Sequence, residues 1–422
     1  MSTLRLQADW VVTMDGAPLK GGAVLVGADG RIVQVEEEGG ERASQKAAPS
    51  VSESPDGTAV PRQTVLLPGL VNAHSHLELT GLGGKVNEDD FPAWIAHLVR
   101  LWRERDPAEY LNAARQGIKD SWAMGVTTVA DCGATGAVLQ ALHELDASGI
   151  AYHEVFGPDP AQADTALEAW ALRLKELRRF ETPRARLGAS PHAPYTVSGP
   201  LYRMAAAHAR KEKLPIAVHV AESPLETDFV RDGAGGFAES QRSRGLTPEP
   251  RGLSPVAWLE RHEVFGPDTV AIHCCTVSSE DIDTLARRGA AVAHCPRSNR
   301  RHHKLDAPLA QLYGAGLRVG LGTDSVASVD PLDLLAEARH ARALASLDAQ
   351  EALALATLGA ARAIGLGGEI GSLQAGKWGD VVAIEIPAVE TAVALFEAVL
   401  ATGPSDVRTT WLGGREVYHR PD

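Results

Sequence analysis

Val65-Leu66-Leu67-Pro68-Gly69-Leu70-Val71-Asn72-Ala73-His74-Ser75-His76 is the stretch on which the fold turns. It opens as a short β-rich run, 65–72, and ends in two histidines two positions apart. Side chains i and i+2 of a strand share a face, with Cα atoms about 6.6 Å apart, so two imidazoles there can converge on one cation. Alone the pair says little. With 15 histidines in 422 residues, about half an H-x-H is expected by chance.

The rest of the chain gives the pair its weight. Seven further β-rich runs occur at 126–131, 150–156, 185–190, 216–220, 270–273, 291–294 and 318–322. Longer helical stretches lie between them, such as 110–124, 164–180 and 200–213. Strands alternating with helices pair in parallel through crossovers. Eight such units predict an α/β fold, a closed (β/α)8 TIM barrel. An open doubly wound sheet is the alternative, but no G-x-G-x-x-G turn follows the first strand to favour it.

A histidine or an acid recurs at the ends of these runs: His192, His219, His273, His294 and Asp324, besides His74 and His76. The C-terminal rim of a parallel barrel gathers such ends around one pocket. Three neutral imidazoles with a carboxylate suit a borderline cation such as zinc, which takes N and O donors and keeps a position for water. Glu222 follows His219 at H-x-x-E spacing, just beyond the strand end, where it can face a ligand over the metal.

Outside the barrel, short alternating bursts at 4–14, 23–26 and 32–35 read as small antiparallel strands. The stretch 36–62 is rich in Glu, Ser, Gly, Lys and Pro and nearly lacks large apolar side chains, so it is expected to be a mobile insertion. A β-rich tail, 380–386 and 407–417, has the composition of the N-terminal segment. Both ends are therefore expected to form one small β-sandwich domain, 1–64 with 370–422, leaving 65–369 as the barrel.

The segment Leu67 to His76 resembles the first-strand signature of the amidohydrolase superfamily. Pro191-His-Ala-Pro-Tyr195, His219-Val-Ala-Glu222, His273, His294-Cys-Pro-Arg-Ser-Asn299 and Gly322-Thr-Asp-Ser325 match it in order. They resemble the branch with adenosine-type nucleoside deaminases, guanine deaminase and triazine chlorohydrolases. Ala356 to Ala360, Ile370 to Leu373 and Gly376 to Asp380 are also similar to that branch, and His76-Leu-Glu-Leu-Thr80 is similar to aminodeoxyfutalosine deaminases. The resemblance implies one divalent metal, Zn2+ with Fe2+ as the alternative, bound by His74, His76, His219 and Asp324. It implies that His273 orients the attacking water, Glu222 shuttles a proton and Asp324 serves both as ligand and as proton acceptor. Many relatives bridge two metals with a lysine of the fourth strand; 185–195 holds no lysine, which favours one metal. The activity implied is hydrolytic deamination of an amino-substituted heterocycle or nucleoside. Hydrolysis of a cyclic amide or C–Cl bond, or a non-enzymatic binding role, are the alternatives.

Other residues keep two readings. His192 either hydrogen-bonds substrate or is a loop histidine satisfied by backbone, and His294 is read as a structural partner. Glu78 and Trp94 either line the pocket or are a helix-start carboxylate and a buried aromatic. The basic cluster Arg297, Arg300, Arg301, His302 and His303 is expected to be solvated, with a grip on an anionic substrate group as the lesser option. Acids outnumber bases 54 to 41, for a formal charge of −13, which argues against nucleic acid or an anionic membrane as the main partner; the partner expected from the hydrolase reading is a small-molecule substrate. No signal peptide or transmembrane run is readable, and Cys132, Cys274, Cys275 and Cys295 each close an apolar run, as reduced core thiols do. The expected setting is cytoplasmic, with a homodimer common in the branch.

Overall fold

The structure, a computed structural model, describes residues 3–37, 51–53 and 59–421. Of the 36–62 stretch, 38–50 and 54–58 lie outside the described residues.

The eight barrel strands are Leu70–Ser75, Val126–Gly133, Ser148–Val155, Ala185–Pro191, Ile216–Val220, Thr269–His273, Ala291–His294 and Arg318–Leu321. They lie side by side in chain order, and from the third to the eighth the register is parallel throughout. The first, fifth, sixth and seventh are buried at every position. That is why the sequence shows continuous apolar runs rather than alternation: each strand has side chains on one face and helices on the other. Ala163–Leu177 shows the complementary pattern, burying Ala163, Trp170, Leu174 and Leu177 along one stripe.

Closure of the barrel falls beside the histidine pair. Ser75 and Asp324 form a parallel bridge, and His74 O accepts from Thr323 N at 3.0 Å and Asp324 N at 3.1 Å. The buried Asn72 side chain adds a clasp, accepting from Thr323 N at 3.1 Å and donating to Thr323 Oγ1 at 2.7 Å. The first and last strands are thus tied where each delivers site residues. The chain is a TIM barrel with a second, smaller domain.

That second sheet draws on both ends of the chain. Its order is Arg415–His419, Val407–Leu412, Val381–Pro387, Ala59–Pro68, Leu4–Val11, Leu19–Val26 and Ile32–Glu37, with Val51–Glu53 paired to Ala59–Pro68. Ile32 N bonds to Lys377 O and Gly376 N to Ile32 O, so the Ile32 edge bends back toward the segment before Val381. Leu6, Val11, Val24, Val26, Ile32, Leu66, Leu373 and Val381 fill the space so enclosed.

By contact the chain divides into two units: Met1–Val71, Lys119–Thr128 and Asp333–Asp422; and Asn72–Ile118 with Val129–Leu332. Residues 333–369, expected with the barrel, group with the chain ends because helices Leu334–Ala345 and Ala349–Leu355 pack on Ala392–Leu400. All four cysteines are buried. Among the described residues no helix is long and apolar enough to cross a membrane.

Candidate metal centre

The rim brings the expected residues together. Ring centroids of His74 and His76 are 4.7 Å apart, His74 and His219 5.0 Å, and His76 and His219 5.4 Å. His273 lies 5.6 Å from both His74 and His219. Asp324 Oδ1 is 3.7 Å from His74 Nε2 and 3.5 Å from His76 Nε2. Tetrahedral ligands 2.0–2.1 Å from a zinc stand about 3.3–3.4 Å from one another. The distances from Asp324 to His74 and His76 therefore fit a zinc-sized cation with little adjustment.

His74 and His76 both turn Nε2 toward Asp324 Oδ1. His76 Nδ1 donates to Cys132 O at 2.8 Å and His219 Nδ1 to His192 O at 3.2 Å. A ring that spends its Nδ1 proton on a backbone carbonyl leaves the Nε2 lone pair for a metal. His74 Nε2 is fully buried without a hydrogen-bond partner, a costly state unless something else satisfies it. Asp324 Oδ2 accepts from Ser298 Oγ at 2.6 Å and Ser328 Oγ at 2.9 Å, which leaves Oδ1 for the centre.

The electrostatics agree with this geometry. Burial lowers the His74 pKa to about 4 and holds His219 well below its ordinary value, so both are neutral donors at neutral pH. Asp324 goes the other way. Burial works to raise its pKa, but His74 and His76 hold the carboxyl well below the usual range. The groupings within ligating reach are His74, His76 and Asp324; His74, Cys132 and His219; and Glu154, His192 and His219, so His219 meets the first set through His74. Burial pushes both the Cys132 thiol and the Glu154 carboxyl well up, toward their protonated forms. Protonated ligands bind metal poorly, so the set with Asp324 is the stronger one.

Glu222 stands beside the centre, with Oε1 3.8 Å from His273 Nε2 and 3.0 Å from His303 Nε2. Burial would raise its pKa, yet these two histidines bring it down to about 2. His273 Nδ1 bonds Asn299 Oδ1 at 2.8 Å. His192 bonds Thr196 Oγ1 through Nδ1 at 2.7 Å and lines the cavity above. His294 is outside the cluster and meets Asn299 Nδ2 at 3.4 Å. Both His273 (φ 73°) and Asp324 (φ 59°) are left-handed, a conformation costing a non-glycine residue about 1–3 kcal/mol and concentrated at functional sites.

A cavity of ≈ 510 Å³ opens over this floor, with Phe91, Trp94, Leu98, Trp102 and Phe156 among its walls. Glu78 and Trp94 both line it. Glu78 is already engaged, accepting from Thr135 Oγ1 at 2.6 Å and Trp102 Nε1 at 3.1 Å. The basic cluster does not behave as one solvated run. Arg300 pairs outward with Asp306 at 3.0 Å, whereas His302 lies 4.3 Å from the Trp94 ring and His303 4.5 Å from that of Phe91. The helix Pro296–His303 turns one face inward, which a count of charges along the chain does not show. Asp131, unmarked by any motif, has a part as well: its Oδ2 accepts from Leu77 N at 2.6 Å and Ser75 Oγ at 2.9 Å and so fixes the turn at His76.

Gly322 leaves the room that the centre needs. A Cβ there would come 2.7 Å from His74 Cβ and 2.9 Å from Cys295 Sγ. Gly322→Ala is therefore expected to displace His74 and weaken zinc binding by about 10–100-fold, the usual effect of disturbing a ligand's support. Competition with a chromophoric chelator measures this; unchanged affinity would show that His74 is not held from that side.

Comparison with known proteins agrees. Residues 65–417 match the amidohydrolase family. The chain is 34% identical over 346 residues to an aminodeoxyfutalosine deaminase of Deinococcus radiodurans, covering 78% of each. It is 30% identical over 379 residues to a 5'-deoxyadenosine deaminase of Methanothermobacter thermautotrophicus, covering 87% of this chain and 82% of that one. Among solved structures, an adenosine deaminase from Xanthomonas campestris with bound zinc superposes with TM-score 0.77 at 26% identity, covering 98% and 92%. A Helicobacter pylori aminofutalosine deaminase gives TM-score 0.82, covering 99% and 100%, but at 21% identity this speaks for the fold alone. The chain belongs to the amidohydrolase family and is a hydrolase of carbon–nitrogen bonds.

Proposed function

We propose that the protein hydrolytically deaminates an adenosine-like nucleoside carrying a further 5′ substituent, with aminodeoxyfutalosine as the leading candidate. The observation that carries this is the approach of His74 Nε2 and His76 Nε2 to Asp324 Oδ1, with the His219 ring 5.0 Å from that of His74, beneath a largely apolar cavity of ≈ 510 Å³. Ligand pockets commonly span about 300–1,000 Å³, so there is room for more than a bare base. The aromatic walls suit stacking on planar groups. The identity with nucleoside deaminases supports the amino group as the one removed.

His74, His76, His219 and Asp324 would hold one divalent cation, with zinc the first choice. When bound, it supplies the Lewis acidity that makes hydroxide available from water at neutral pH. The protein's own groups then manage two protons. Glu222 and Asp324 both start ionised, since their neighbours hold their pKa values low. As the water oxygen bonds to the amino-bearing carbon, the first proton passes to Glu222 and on to the adjacent ring nitrogen. The second passes from the adduct's hydroxyl to Asp324 Oδ1 and on to the amino group. The carbon–nitrogen bond breaks, ammonia leaves, and both carboxylates end ionised. His273, fixed through Nδ1 by Asn299, directs Nε2 toward the attacking water. His192, lining the cavity beside His219, is assigned to the substrate.

The test is ammonia release from adenosine, 5′-deoxyadenosine, aminodeoxyfutalosine, guanine, cytosine and an aminotriazine. The 5′-substituted purine nucleosides are expected to give the highest kcat/KM, by at least about tenfold over the bare bases, a step of roughly 1.4 kcal/mol. Release from guanine or the triazine alone would overturn the assignment of substrate.

A further inference from the structure

We infer that His303 is a positioning residue for Glu222, fixing the carboxylate that moves the proton; the inference rests on the proton role proposed above for Glu222. Three site side chains are held from one short helix, Pro296–His303, which comes after the seventh strand. Ser298 Oγ reaches Asp324 Oδ2 at 2.6 Å, Asn299 Oδ1 reaches His273 Nδ1 at 2.8 Å, and His303 Nε2 reaches Glu222 Oε1 at 3.0 Å. Asn299 and His303 are four residues apart, so they lie one above the other on the same face of the helix.

The direction of the last bond is set by chemistry. An ionised carboxylate only accepts, so His303 Nε2 carries the hydrogen and donates it. Oε1 is thereby taken, and Oε2 is the oxygen left for the reacting water and ring nitrogen. A glutamate with two side-chain torsions beyond χ1 has several rotamers, and only one places Oε2 correctly. A buried, charge-assisted bond selects it. Glu222 is 7% and His303 3% exposed by side chain, so water does not offer an easy substitute.

His303 is itself locked in place. Its ring stands edge-on to Phe91 at 4.5 Å, and Phe91 is stacked on Trp94 at 5.8 Å. Both aromatics line the cavity. The wall that touches substrate and the carboxylate that protonates it are therefore joined through one imidazole. The sequence offers no hint of this beyond the i, i+4 spacing from Asn299.

The test compares His303→Phe, which keeps a ring against Phe91 but lacks the donor, with His303→Gln, whose side-chain amide retains one. Zinc-loaded proteins are assayed with the best nucleoside of the panel, each also in the Glu222→Gln background. His303→Phe is expected to lower kcat about 10–100-fold with KM within about threefold and zinc content unchanged, and His303→Gln to recover at least about fivefold of that loss. In the Glu222→Gln background the Phe substitution should have no further effect, because coupled residues are not additive. Equal losses in Phe and Gln, a kcat for Phe within twofold of wild type, or a full further loss on Glu222→Gln would each overturn the inference. Full activity of Glu222→Gln alone would instead overturn the proton role of Glu222 itself.

Discussion

Asp324→Asn is expected to lower ammonia release by about 10²–10⁴-fold and to cost the protein its tightly held metal. Two separate jobs are lost with one charge. Oδ1 stands 3.5 Å and 3.7 Å from two imidazole nitrogens, where it is the one anionic ligand of the proposed set. It is also the proposed acceptor of the second proton, and an amide cannot take that proton at neutral pH. The fold should survive, since Asn keeps the volume and can still bond Ser298 and Ser328. Metal content after dialysis, measured by mass spectrometry beside ammonia release, reads both effects. A variant that retains one equivalent of metal and wild-type turnover would remove Asp324 from the centre.

Glu222→Gln separates the two jobs. It does not touch the metal ligands, so zinc content should equal that of the wild type while kcat falls about 10²–10⁴-fold, the range for losing a placed acid–base group. The amide retains a partner for one neighbour only, because its NH2 meets a donor if it turns toward His303 Nε2, and its oxygen is a weaker acceptor. KM should change little, since the loss falls on the transition state. A drop in zinc content equal to the drop in activity would mean that Glu222 acts by holding the metal site together, and not by moving a proton.

Much of this was readable in the chain, for definite reasons. Parallel strands buried on both faces give runs that are apolar apart from a histidine near the rim, and 216–220 and 291–294 form the strands Ile216–Val220 and Ala291–His294. His74 and His76 share a strand face by period alone, and the rim geometry of a barrel makes His219, His273 and Asp324 their neighbours. What was hidden lies in contacts between elements. The Asn72 clasp on Thr323 spans 251 residues and leaves no local pattern. The pairing of 333–369 with the chain ends depends on helix packing rather than on composition. The helix Pro296–His303 is polar nearly all round by residue type. Its inward face is set by the three carboxylate and imidazole partners it meets, and not by hydrophobicity.

The most direct test of the central claim is to titrate metal-free protein with zinc while following ammonia release from a 5′-substituted adenosine. Release should be absent without metal and rise linearly to saturation at one zinc per chain, as a single site built on His74, His76 and Asp324 with His219 beside His74 requires. Turnover in the metal-free protein, a rise that needs two zinc ions per chain, or silence at one bound zinc across the whole panel would contradict it.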